Sequence, residues 1–254
     1  IDAIIFIIKN ITFNYFKVKK MKKGLKFAIG VVFVGFLGVC LTNASLPDSI
    51  VQQRKAFWDS WVNKCFPNND WNTTTFKTMG EDYSAFKLKD STVYHDMKAL
   101  NPNEIKLQEF VESGSTMPEE AFVKQGDKFF KIVPKGNNID GPSAYYLGQI
   151  QLDKIKAHPA RLEQVLGLPL SSVSAEYDVF EITYQGSSKE YVFRSIVAST
   201  QQFANATPNV KYSTCGGAVQ TLVLDNMDAT KWKKGSVKIA SISPNTLPKI
   251  GDQK

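Results

Sequence analysis

The sequence predicts an α+β fold, with its helices bunched ahead of most of its strands. Three observations lead there. An amphipathic helical pattern opens the folded part, a strand and two short helices come after it, and runs of period two fill the remainder. Strands and helices do not alternate regularly, so a parallel α/β sheet is not expected.

The front of the chain reads as a leader. Lys17, Lys19, Lys20, Lys22, Lys23 and Lys26 form a basic run, and residues 27–41 carry no charge. Thr42-Asn43-Ala44 then supplies the small residues of a cleavage site. These are the three parts of a secretory signal peptide, with Met21 as its start and the mature chain beginning near Ser45. The apolar run is shorter than the roughly 20 residues a membrane helix needs, so no stable span is expected after cleavage. Val39 stands before Cys40 where a lipid-anchor motif wants Gly or Ala, so cleavage rather than lipidation is expected. The expected location is secreted or periplasmic.

Removing the leader changes the charge. The whole chain carries 31 Lys and Arg against 24 Asp and Glu, a net of +7. Residues 1–44 hold seven of the Lys and one Asp, so the rest carries 24 basic against 23 acidic residues, or +1. A nucleic-acid binder needs its positive charge on the folded domain, so that class is set aside. Cys65 and Cys215 remain after cleavage. An even pair in an exported chain points to a disulfide, the alternative being two buried thiols.

The elements can be read in chain order. Ile50, Phe57, Trp58, Trp61, Val62 and Cys65 recur at helical spacing over residues 49–65, and Pro67 ends the pattern. Residues 71–115 are polar and weakly patterned, with short helices over 95–110 broken at Asn101-Pro102. Residues 45–115 therefore form an N-terminal helical lobe, or a collar on the main domain, and residues 116–254 form that second domain. Phe129 to Val133 is a strand stopped by Pro134 to Asn138. Gln149 to Ala157 is a short helix, and Pro159 opens another that ends at Gly167 and Pro169. Asp178 to Tyr184 and Glu190 to Val197 are strands joined by the hairpin-like Gln185-Gly186-Ser187-Ser188. Val219 to Leu224 and Val237 to Ile242 complete the set.

Little in the sequence carries chemistry. His95 and His158 are the two histidines, and no CxxC, HExxH or GxSxG occurs, so neither a metal site nor a Ser-His-Asp triad is expected. A Cys nucleophile would compete with the disulfide, and no carboxylate pair is singled out. What remains is Ser213-Thr214-Cys215-Gly216-Gly217-Ala218-Val219-Gln220-Thr221. Paired glycines let a backbone approach a ligand closely, and the Gln220 amide both donates and accepts. The plain alternative is a hairpin turn entering a strand with an ordinary strand Gln.

The order of several segments resembles a known family. These are Gly126-Asp127-Lys128-Phe129-Phe130-Lys131-Ile132-Val133-Pro134-Lys135-Gly136, Ser143-Ala144-Tyr145-Tyr146-Leu147, Leu166-Gly167-Leu168-Pro169, Tyr177-Asp178-Val179-Phe180 and Gly216-Gly217-Ala218-Val219-Gln220. Together they look like toxin domains at the C-termini of large secreted bacterial proteins, and like the NAD-consuming toxins typified by the tuberculosis necrotizing toxin. The resemblance covers residues 123–224. It implies a small ADP-ribosyltransferase-like split β-sheet for residues 116–254. Gln220 would match the catalytic Gln at the nicotinamide ribose, and Gly216 and Gly217 its glycine loop. Lys131 or Lys135 would meet the pyrophosphate where the family carries Arg, offering a point charge in place of a fork. Ser143, Tyr145 and Tyr146 would lie beside nicotinamide.

The implied activity is that of a secreted toxin hydrolysing NAD to nicotinamide and ADP-ribose, with NAD as substrate, no further cofactor, and an immunity protein as partner. Nicotinamide leaves as a neutral base from an oxocarbenium-like ribose, so no general acid is required. A mono-ADP-ribosyltransferase toxin is the nearest alternative, and the lack of a Glu-x-Glu before a strand favours hydrolysis. A non-enzymatic exported binding or envelope protein is the alternative from another class. A ribonuclease toxin is disfavoured by the near-neutral charge and the lack of a His pair.

Overall fold

The computed structural model describes residues 76–204 and 210–244, all within one compact unit, Leu46–Lys254. The leader, the expected helix over residues 49–65, and Cys65 lie outside the described residues.

Three helices come first: α1 (Tyr83–Lys89), α2 (Ser91–Leu100) and α3 (Glu104–Glu112). Each starts at a side chain that accepts hydrogen bonds from free N–H groups of the first turn. Asp82 accepts from Ala85 N, Asp90 from Val93 N, and Asn103 from Ile105 N and Lys106 N. The expected break at Asn101-Pro102 falls between α2 and α3. Helix α1 was not expected, because Phe86 is its one buried side chain and leaves little periodicity to read. Glu104 pins the group together. It accepts from the hydroxyls of Tyr83 and Tyr94 and from Lys98 Nζ at 2.6 Å.

Eleven strands lie among the described residues, and all their ladders are antiparallel, so the fold class is α+β. Strands β1 (Lys77–Thr78), β7 (Thr200–Ala204) and β8 (Val210–Thr214) form a small sheet. A second sheet runs β2 (Glu119–Val123), β6 (Glu190–Ile196), β9 (Val219–Leu222), β4 (Tyr145–Tyr146). A third centres on β5 (Tyr177–Tyr184), with β3 (Lys128–Pro134) along one edge. Its other edge carries β10 (Trp232–Lys234) and β11 (Ala240–Ile242) in tandem. A bridge between Phe130 and Leu147 ties the third sheet to the second.

Two connections differ from the sequence reading. Residues 185–188 do not close a hairpin, because β5 and β6 belong to different sheets. Both edges of β5 are already occupied, and the loop is fastened by the Tyr184 hydroxyl, which donates to Ser188 O at 2.7 Å. Likewise Gly216-Gly217 is not a hairpin turn, since it carries the chain from the small sheet to the second one. The last strand is also shorter than expected, covering Ala240–Ile242 alone.

The helices share a core with the second sheet. Phe86, Met97, Leu107 and Phe110 pack with Phe193 and Leu222. They pack on that sheet, and Gly114 bridges to Val197. A separate cluster buries α4 (Gln149–Ala157) and α5 (Leu162–Leu166) against the third sheet, through Leu152, Ile155 and Leu162 on Phe130, Tyr177 and Val179.

Candidate functional site

A cleft of about 930 Å³ opens where the end of α3, strand β3, the loop at residues 136–143 and β4 converge. Five residues singled out from the sequence line it: Lys131, Ser143, Tyr145, Tyr146 and Gln220.

Lys131 is the cleft's inner cation. It sits mid-strand on β3, paired with Phe180, and is 8% exposed. Its Nζ donates to the carbonyl of Ser143 and lies 4.8 Å from the centre of the Tyr146 ring. No carboxylate pairs with it among the described residues. Burial, and then the nearby charge of Lys234, push its ammonium down to about 8 from an ordinary 10.5. Lys131 is therefore not on the solvent face that alternation with Phe130 and Ile132 allowed.

Ser143 contributes through its backbone: its carbonyl also accepts from Asn226 Nδ2 at 2.7 Å. Tyr146 is buried, and its hydroxyl accepts from the same Asn226 nitrogen at 3.2 Å. Tyr145 is half-buried and packs edge-on against Phe110, ring centres 5.6 Å apart. Burial pushes both tyrosines up to about 12, so both are neutral phenols at physiological pH.

Gln220 projects from β9, opposite Ser195 of β6. It is 4% exposed, and its Nε2 donates to Ser113 Oγ at 2.9 Å and Ser195 Oγ at 2.8 Å.

The other candidates stand apart. Lys135 lies past the end of β3, pairs with Glu176 at 2.7 Å, and does not line the cleft. Gly216 and Gly217 also lie outside the cleft wall. Their φ angles are +68° and +99°. Gly216 N donates to Gln164 O and Gly217 N to Val197 O, both at 2.9 Å, so the pair is locked to the protein's own backbone. They place β9, and hence Gln220, without offering N–H groups to a ligand. Cys215 precedes them, and its N–H donates to Gln164 Oε1 at 3.3 Å.

The sequence reading missed several cleft residues. Ser113 and Ser195 hold the Gln220 amide from 107 and 25 positions away. Glu109 and Glu112 of α3 also line the cleft, with their carboxylates bonded to Lys106 and Gln108 on the same helix. Helical spacing puts Glu109 and Glu112 on one face, but nothing in the sequence says that face meets a cleft. Among the described residues, no helix is long and apolar enough to cross a membrane, and no group of three or more His, Cys, Asp or Glu could hold a metal ion.

No family model matches the chain, and no curated protein matches it. Among solved structures, Rhs1-CT in complex with the cognate immunity protein RhsI1 is similar over 52% of this chain and 87% of that one. The identity is 12% and the TM-score 0.35, too loose a likeness to assign either fold family or activity.

Proposed function

We propose that this protein is an exported toxin that hydrolyses NAD to nicotinamide and ADP-ribose in the cleft around Lys131. The observation that supports this most is the setting of Lys131. A buried ammonium without a carboxylate partner among the described residues, set in a cavity of about 930 Å³, invites an anionic ligand. The volume falls within the roughly 300–1,000 Å³ range of small-ligand sites.

In this reading Lys131 faces the pyrophosphate and Tyr145 lies beside the nicotinamide ring. Gln220 touches the ribose hydroxyls. The C–N bond breaks with its electron pair going to nicotinamide, which leaves neutral. Water then adds to the ribose carbon and releases a proton to solvent. NAD is also the producing cell's own cofactor, so an immunity protein that blocks the cleft is the expected partner.

The deep burial of Gln220 favours one rival, a non-enzymatic exported binding protein with the same cleft. Incubating the purified protein with NAD and measuring free nicotinamide separates them. Release in water alone supports the hydrolase, and loss of release in Gln220→Ala supports the assignment of that residue. Release that needs an added acceptor protein makes the chain a transferase. Absence of release, with NAD or ADP-ribose still bound, makes it a binding protein.

A further inference from the structure

The Gln220 side chain makes two hydrogen bonds, both from its amide nitrogen. Ser113 has one hydroxyl proton, and it donates that proton to Phe110 O at 2.7 Å. With that proton on Phe110 O, and with the Tyr145 hydroxyl as its other neighbour, the Ser113 oxygen accepts toward Gln220, and the atom facing it is the amide nitrogen. The 2.9 Å contact from Nε2 agrees, and the second N–H goes to Ser195 Oγ at 2.8 Å. Both amide protons are thereby used. The carbonyl oxygen Oε1 takes no hydrogen bond among the described residues, and it is not among the side-chain atoms sealed from solvent without a partner. Gln220 lines the cleft, so Oε1 is the polar atom it presents there.

We infer that Ser113 is a positioning residue that sets the polarity of the Gln220 amide, turning this wall of the cleft into a hydrogen-bond acceptor. Such a wall takes a ligand group that donates, a hydroxyl or an N–H, and repels phosphate or carboxylate oxygen. Lys131, on the same cleft, does the opposite. The cleft therefore selects a ligand with an anionic portion and a separate hydroxyl-bearing portion. A free phosphate or a simple polyanion lacks the second part. This inference rests on the reading of the cleft as the NAD site, and it adds which atom of Gln220 meets the sugar and what holds it there.

Two measurements test it. The first needs no ligand: exchange of the Gln220 side-chain NH₂ protons, read by ¹⁵N-resolved NMR. In the wild type both are expected to be protected from solvent, and in Ser113→Ala at least one loses protection. Unprotected amide protons in the wild type would overturn the inference. The second is NAD hydrolysis. Ser113→Ala is expected to lower kcat about tenfold with KM nearly unchanged, because a mispositioned amide costs rate more than binding. Ser113→Thr keeps the hydroxyl and is expected to recover most of that rate. A Ser113→Thr variant as slow as Ser113→Ala, or a Ser113→Ala variant as fast as wild type, overturns the inference. If the wild type releases no nicotinamide, the NAD reading fails, and the exchange measurement alone then decides the polarity of the amide.

Discussion

Replacing Lys131 with Met is expected to make the protein more stable at neutral pH and, under the proposed function, to abolish nicotinamide release from NAD. The stability term comes from the ammonium's environment. Its proton affinity falls from an ordinary 10.5 to about 8 on folding. Each tenfold change is worth about 1.4 kcal/mol, so keeping the charge in the cleft costs the fold on the order of 3 kcal/mol. Met fills similar volume without charge. It forfeits the hydrogen bond to Ser143 O and the contact over the Tyr146 ring, together worth about 1–2 kcal/mol. Ser143 O keeps its bond from Asn226, so no carbonyl is stranded. The net expectation is a gain of about 1–2 kcal/mol for Lys131→Met at neutral pH.

The sign of the pH dependence comes from the same two values. Above 10.5 the amine is neutral in both states, and the penalty is absent. Between 10.5 and about 8 the unfolded chain binds a proton that the folded chain does not, so wild-type stability falls as pH falls. Below about 8 the penalty is complete. Urea denaturation at neutral pH and near pH 10 should therefore show the variant ahead at the lower pH and the gap closing at the higher one. A variant less stable than wild type at neutral pH, or a gap independent of pH, refutes the reasoning. Such a result would mean that Lys131 is stabilised by a partner.

The remaining geometry sets other outcomes. Gly216→Ala should cost more than about 2 kcal/mol in urea denaturation, because an added Cβ would lie 2.2 Å from Val197 O at a φ of +68°. Gly217→Ala, with nothing within 4 Å of the new atom, should cost only the backbone strain, about 1–2 kcal/mol. The Glu104 carboxyl is held well below the usual carboxylate range by the hydrogen bond from Lys98, then by those from Tyr83 and Tyr94. Its contribution is present above the ordinary carboxylate range and is lost as pH falls below it, so thermal melts of Glu104→Gln should be lower than wild type at neutral pH and converge with it in acid. Finally, in the mature chain from Ser45, alkylation after reduction is expected to add two labels over alkylation without it, at Cys65 and Cys215. Labelling of both cysteines without reductant would rule the bond out.

The sequence by itself determined the local elements whose signals are local. The α4 boundaries, the Asn101-Pro102 break and strands β3, β5 and β6 were all legible, because apolar period, caps and Pro or Gly punctuation act within a few residues. Of the site residues chosen from an order of short segments, Lys131, Ser143, Tyr145, Tyr146 and Gln220 line one cleft, and Lys135, Gly216 and Gly217 do not. Only the tertiary structure decided which strands pair. Residues 185–188 look like a hairpin loop, but β5 has both edges filled and β6 joins another sheet. Lys131 and Lys135 look alike four residues apart, and folding buried the first beside an aromatic ring while pairing the second with Glu176. The direction of the Gln220 amide depends on a serine 107 positions away. Contacts at that distance in sequence are set by how the sheets and helices pack, and a one-dimensional pattern carries no record of them.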